Sequence, residues 1–251
     1  MFIVAISDWG PITWLPLNPR WENFVYAWSY MQYPPLWRAL LNSVIVSFSR
    51  TLLVLSASSL TAYALAMYKF RGSRVVFWVV LSAMFMGSFR LIPVVPGVIT
   101  LIPSVMLMFW FGWLDTYWAL IIPGFVNAYS VFLLRQYMIT VPDEVLDAAR
   151  LYGCSEFGLF WRIALPLCKP ALAAIGLINF VWSWNDYLWP LVVISDANMY
   201  TVQLALSWAS PSGPIGAALL TLAILPLIIF TITTQKYLVK GLAGLGYRWQ
   251  K

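Results

Sequence analysis

VPDEVLDAARLYGCSEFGLFWRIALPLCKP, residues 141–170, decides how the whole chain is read. Long apolar runs flank it on both sides. Within it charge returns, at Asp143, Glu144, Asp147, Arg150, Glu156, Arg162 and Lys169. A polar island between runs that suit lipid is a loop in water. Its pattern predicts two short helices. Pro142 fits the first helical turn, where a missing N–H is no loss, and Thr140 before it can cap. Asp143 and Glu144 lie where the helix dipole favours negative charge. Val145, Ala148, Ala149 and Tyr152 are three and four apart and share a face, kept slim by its two alanines. Gly153 is placed to end the helix in a left-handed conformation. Ser155 then caps a second helix, which Pro166 stops. Such a pair is either an ordinary hairpin between spans or a helix pair that fits a socket on another protein.

The composition excludes a soluble globular protein: 62% of the residues are hydrophobic and 10% charged. A pI near 9.4 raises the question of nucleic acid. The basic residues form no single patch, however. They gather at the ends of apolar runs, so membrane orientation explains them and no nucleic-acid partner is expected. Many of the 15 Trp and 13 Tyr lie near predicted span ends, as interfacial belts require. Cys154 and Cys168 both lie in or beside the polar island and are expected as reduced thiols, not a disulfide. There is no histidine, which removes the commonest general base and metal ligand.

Five spans are predicted. The first, about 38–67, carries Asn42, Ser49, Ser56 and Tyr63 at seven-residue intervals, one polar stripe toward other helices. Arg50 lies in this span, where a charge costs roughly 2.5–3.5 kcal/mol, so it is expected to face a cavity or a partner chain. KFRGSR at 69–74 is a basic turn, cytoplasmic by the positive-inside rule. The second span covers about 75–92. An apolar stretch interrupted by Pro93, Pro96, Gly97 and Pro103 then reaches Trp113, as a kinked helix or a re-entrant segment. The third span, about 116–138, leads into the polar island. The fourth, about 170–194, places Asn179, Trp182, Ser183 and Asp186 on one side, with Tyr187 beside them. An intramembrane acid among aromatic rings suits sugar hydroxyls, or else Asp186 is a helix cap near the outer surface. Pro190 frees the Asp186 carbonyl and predicts a kink. Residues 195–213 read as an outer loop and about 214–235 as the fifth span, kinked at Pro226. GLAGLG at 241–246 follows no strand and reads as a turn, not a nucleotide loop. Residues 1–15 are too short an apolar run to span. Residues 16–37 read as an irregular outer segment with a short helix around 21–31. With 69–74, 139–169 and 236–251 inside, ten of the fifteen basic residues lie on the cytoplasmic side.

The island resembles the EAA motif of permease subunits of ATP-binding-cassette importers. That motif runs Glu-Ala-Ala, three residues, Gly, nine residues, Ile, one residue, Leu-Pro. Asp147, Ala148, Ala149, Gly153, Ile163, Leu165 and Pro166 fall on it at the same spacing. Asp147 stands for the usual Glu, and Tyr152-Gly153-Cys154 for the usual Asp-Gly-Ala. The resemblance runs over roughly residues 20–250, including FLLRQYM at 132–138 and SWNDYLWP at 183–190. It is similar to the second permease of maltose-type carbohydrate uptake systems.

The resemblance implies an all-α polytopic helical bundle of the type I importer permease kind in a bacterial inner membrane. Residues 1–37 would be a truncated N-terminal stub and outer segment, with the family's first helix missing or cut short. Residues 38–251 would be the transmembrane domain, with the coupling loop at about 139–169. The function implied is half of an ATP-driven import pathway for a sugar or sugar-like solute. Implied partners are a homologous second permease, two ATPase subunits, an extracytoplasmic solute-binding protein and membrane lipid. Asp147, Ala148, Ala149, Gly153, Ile163, Leu165 and Pro166 would couple to the ATPase. Asn179, Trp182, Ser183, Asp186, Tyr187 and Arg50 are candidates to line the path. The chain lacks G-x-x-x-x-G-K-[ST], so no cofactor is expected in it, and ATP and Mg would sit in the ATPase. A secondary transporter coupled to an ion at Asp186 leaves the helix pair without purpose. A membrane-embedded enzyme lacks a catalytic set.

Overall fold

A computed structural model describes residues 2–5, 20–31, 33–68, 71–88, 96–209 and 213–246, with backbone alone at 2, 3, 83–88, 96–100, 143 and 236–246. Among the described residues every regular element is helical. Two helices are each long and apolar enough to cross a membrane, Leu36–Met67 and Gly213–Gln235. A further pair, Glu156–Leu167 and Lys169–Trp184, passes that test together but is bent by 76°. Ser73–Ser82 and Leu101–Trp110 are shorter apolar helices. The chain divides into two compact units, residues 1–49, 104–123 and 181–231, and residues 50–103, 124–180 and 232–251.

In the first unit the Glu22–Tyr30 helix lies where the short outer helix was expected. The segment 195–213 is not a simple loop. It holds a 3-10 turn, Ala197–Met199, and a helix, Val202–Ala209, with Val202, Leu204, Ala205 and Leu206 buried. Buried backbone must be paired, and here side chains supply the pairing. Asn42 Nδ2 donates to the carbonyls of Asn198 (2.9 Å) and Tyr200 (3.0 Å). Arg38 Nε donates to the Asn198 carbonyl at 3.0 Å, and Ser43 Oγ accepts from the Val202 N–H at 2.7 Å. Asp115 Oδ1 accepts from the Ser195 and Asp196 N–H groups. The predicted fourth span breaks in this unit: helix runs to Trp184, and Leu188–Val193 is a separate helix. The break falls at 185–187, upstream of Pro190, because the proline leaves the Asp186 carbonyl without its helical donor.

In the second unit the expected third span is also interrupted. Residues 128–138 form a helix, but 122–127 do not. Pro123 withholds a donor, and Gly124 takes φ +87. Asn127 restarts the helix, its Oδ1 accepting from the N–H groups of Tyr129 and Ser130. Arg50 is half-buried. It packs on Gly124, where an added Cβ would lie 2.8 Å from the guanidinium Nη2. Alanine at 124 therefore displaces Arg50 and takes a left-handed φ that costs about 1–2 kcal/mol. The expected result for Gly124→Ala is a thermal midpoint lower by roughly 2–8 °C in detergent, and an unchanged midpoint contradicts this packing.

The seven-residue polar stripe holds only at its ends. Asn42 and Tyr63 are buried, but Ser56 is exposed and returns its hydroxyl to the Leu52 carbonyl. A seven-residue spacing drifts steadily by about 20° per repeat, so spacing alone does not set this pattern; Asn42 is covered by residues 198–200 and Tyr63 by Phe160. Ser43, Ser47, Thr51, Ser58 and Ser59 are buried on this helix instead. Of the proline-rich stretch from 93 on, Pro96–Trp110 is one helix with Pro103 inside it. The second predicted span is helical over Ser73–Ser88, while Arg90 and Pro93 lie outside the described residues. GLAGLG is helical, as the end of Gly213–Gly246, and not a turn. Its two leucines and alanine carry the preceding helix on in spite of three glycines, each of which costs about 1 kcal/mol relative to alanine.

Candidate functional site

The polar island folds as the helix Asp143–Leu151, a turn, and a second helix beginning at Glu156. Pro142 itself is the N-cap residue of the first helix. Thr140 does not cap, because its hydroxyl bonds back to the Tyr137 carbonyl at 2.7 Å. At the other end Gly153 has φ +78. Its N–H bonds the Arg150 carbonyl at 2.9 Å, and the Cys154 N–H bonds the Ala149 carbonyl at 3.1 Å. These two bonds close the helix in a Schellman motif. Ser155 Oγ then accepts from the Gly158 N–H at 3.2 Å and caps the second helix, as its spacing predicts.

Pro166 does not stop that second helix. Residues Phe160–Ala164 form a π-helical turn, in which the Leu165 N–H reaches the Phe160 carbonyl. The helix continues through Pro166 to Leu167 and turns at Cys168. A π-turn already shifts the bonding register, so the donor that proline lacks is not missed at once.

One side of the pair is anchored. Leu146, Leu159, Phe160 and Ala164 are buried in one apolar core with Tyr63, Leu134, Met138 and Ile175. Ile163, Leu165 and Ala149 pack against it half-buried. The other side is left open: Asp147, Ala148, Gly153 and Pro166 are exposed. Leu151 is 89% exposed and Tyr152 94%. Both stand at the capped end of the first helix, on the side away from the core. Of the face read from the sequence, Val145, Ala148 and Tyr152 are exposed, and Leu146 is the anchor that spacing did not single out.

Residues 58–244, which include this pair, match the family described as "Binding-protein-dependent transport system inner membrane component". The chain belongs to this family. It is thus an inner-membrane transport component, the permease of an importer, and not an enzyme. The permease is 36% identical over 231 residues to the arabinooligosaccharides transport system permease protein AraQ of Halalkalibacterium halodurans, covering 90% of this chain and 79% of that one. It is 33% identical over 245 residues to the sn-glycerol-3-phosphate transport system permease protein UgpE of Yersinia pestis, covering 93% and 83%. Its fold matches a chain in the crystal structure of a bacterial ABC transporter involved in the import of the acidic polysaccharide alginate. The TM-score there is 0.76 at 23% identity, over 94% of this chain and 88% of that chain.

The path candidates of this permease have different surroundings. Asn179 is buried and bonded: its Nδ2 donates to Ser130 Oγ at 3.0 Å and to the Ile175 carbonyl at 2.8 Å, and its Oδ1 accepts from Asn127 at 3.2 Å. That is an interhelical packing seam. Ser183 is buried with no hydrogen-bond partner for its hydroxyl among the described residues. Asp186 is half-buried, and its Oδ1 accepts from the Trp189 N–H at 3.4 Å, as a cap would. Trp182 and Tyr187 are exposed.

Sequence reasoning missed the polar hub of the helix pair. Arg150 Nη1 donates to Asp147 Oδ1 at 2.8 Å, and its Nε to Glu156 Oε1 at 3.0 Å. Tyr68 Oη donates to Glu156 Oε2 at 2.8 Å, and Tyr63 Oη reaches the same oxygen at 3.5 Å. The bond from Arg150, then that from Tyr68, hold the Glu156 carboxyl below its usual range, so it stays ionised at neutral pH. An acid six residues past a base, across a glycine turn, was the one local signal.

Proposed function

We propose that the permease carries five spans within residues 38–251 and forms one half of a solute pathway, beside a homologous second permease. Two ATPase subunits dock on the coupling loop at about 139–169, through Asp147, Ala148, Ala149 and Gly153, with Ile163, Leu165 and Pro166 seating the pair. ATP and Mg belong to those subunits. When they close on ATP, the pair is carried with them and the spans rock between inward-open and outward-open packings. A solute-binding protein outside delivers the cargo, an oligosaccharide or a polyol phosphate, the kinds named for the arabinooligosaccharide and glycerol-3-phosphate relatives. Residues 1–37 are an outer segment ahead of this domain.

The exposure of Leu151 and Tyr152 at the end of a capped helix carries this reading. Tyr152→Cys, made with Cys154→Ser, is expected to cross-link to an ATPase subunit in membranes holding the assembled transporter. Absence of that cross-link from an assembled complex overturns the reading.

Asn179, Trp182, Ser183, Asp186, Tyr187 and Arg50 stand as path residues in this proposal, and Asp186 is the sharpest test among them. Asp186→Ala is expected to lower uptake several-fold, or to separate it from ATP turnover. Uptake at the normal rate leaves Asp186 a cap and nothing more.

A further inference from the structure

The Glu156 carboxylate joins three parts of the chain. Its own helix is the second of the pair. Through Arg150 it holds the first, and Arg150 in turn holds Asp147. Through Tyr68 and Tyr63 it holds the end of the long Leu36–Met67 helix, about ninety positions earlier in the chain. Among the described residues, the hydrogen bonds from the pair to that helix end all converge on Glu156.

The remaining contact there is apolar. The Tyr63 ring meets Phe160 edge-on, with centroids 5.2 Å apart. That packing belongs to a buried core that also holds Ala62, Leu146, Leu159 and Ala164; it keeps the elements together but has no direction. The charge-assisted bonds at Glu156 are directional, so they fix how the pair is turned on the helix end as the two move together.

We infer that Glu156 is a positioning residue that ties the movement of the coupling pair to the inner end of the Leu36–Met67 helix, with Tyr68 as its grip on that helix. This rests on the coupling role given to the pair above. The chemistry explains why the residue is an acid. Both carboxylate oxygens accept, one from the guanidinium and the other from two hydroxyls. Glutamine carries no charge and offers a single acceptor, so its bond to the guanidinium is no longer an ion pair and its amide can meet the hydroxyls only by donating to them. Phenylalanine at 68 removes only a hydroxyl from an exposed ring.

The test uses the whole transporter in membrane vesicles, with Trp182→Cys as a reporter in a Cys154→Ser background. Maleimide labelling is measured with and without ATP and vanadate, and ATP hydrolysis is measured alongside. In the parent, the labelling rate is expected to differ between the two conditions. In Glu156→Gln and in Tyr68→Phe, hydrolysis is expected to stay within twofold of the parent while that difference shrinks at least fivefold. The double variant is expected to be no worse than Glu156→Gln alone, because both changes open one link. Should Glu156→Gln fail to reach the membrane, Tyr68→Phe still decides. A parent-like nucleotide response in the variants overturns the inference, as does an additive double variant. The Tyr152→Cys cross-link, run in the same vesicles, separates the two ideas. Where it forms and the response is unaltered, only the role of Glu156 fails. Where it does not form in the parent, the docking reading has failed and this inference falls with it.

Discussion

Replacing Gly153 with arginine is expected to abolish uptake while the protein still reaches the membrane in normal amounts. The two halves of that result have separate causes. Gly153 sits at φ +78 with open space around it, since an added Cβ meets nothing within 4 Å. The first atom of an arginine side chain there meets nothing in the chain itself. Its internal penalty is the left-handed backbone, about 1–2 kcal/mol, too little to unfold a polytopic helical protein. The side chain projects beside Leu151 and Tyr152, where the ATPase is proposed to dock. Two controls divide strain from obstruction. Gly153→Asn tolerates the left-handed conformation and is expected to keep most uptake. Gly153→Ala carries the strain without the bulk and is expected to lie between. Uptake by Gly153→Arg above a tenth of the parent rate contradicts the assignment.

Leu146→Ala acts from the opposite side of the same helix. Leu146 is 1% exposed and is the buried anchor of the first coupling helix. Truncating a buried leucine costs roughly 2–5 kcal/mol, through lost burial and the cavity left behind. The Arg150 contacts to Asp147 and Glu156 are too exposed to compensate. At about 3 kcal/mol, local opening of the pair becomes more frequent by about two orders of magnitude. Trypsin should then cut after Arg150 much faster, while the long apolar helices stay intact, and uptake should fall tenfold or more. Unaltered cleavage at Arg150 means the helix is held by something else.

The parts of this site that were legible in the sequence are those whose causes lie within a few residues. Gly153 ends its helix and Ser155 caps the next because the groups they satisfy are their immediate neighbours. The long apolar stretches Leu36–Met67 and Gly213–Gln235 followed from composition alone. Rules of local punctuation failed when a neighbour changed the register. Pro166 reads as a stop, yet the π-turn ahead of it carries the helix through. Pro123-Gly124 lay inside an apolar run and was read as span, although the pair breaks the helix there. Glu156 was invisible as a hub because Tyr63 and Tyr68 lie in a different helix, and nothing local announces that tertiary pairing. The polar stripe on the first helix failed because burial along it is set by distant segments, 198–200 at Asn42 and Phe160 at Tyr63, which spacing does not show.

The widened turn at Phe160–Ala164 has a consequence for lineage as well as for shape. A π-turn is one residue more than an α-helix needs for the same rise. Each residue of an α-helix advances the azimuth by about 100°. Were this turn to relax to regular spacing with the sequence unchanged, everything on its amino-terminal side, Glu156 and Arg150 included, would swing by about that angle about the helix axis. The widened turn thus works as a phase setting between the docking face and the following helix. Chains of this kind with one residue fewer between Glu156 and Pro166 would hold the same phase with a regular helix.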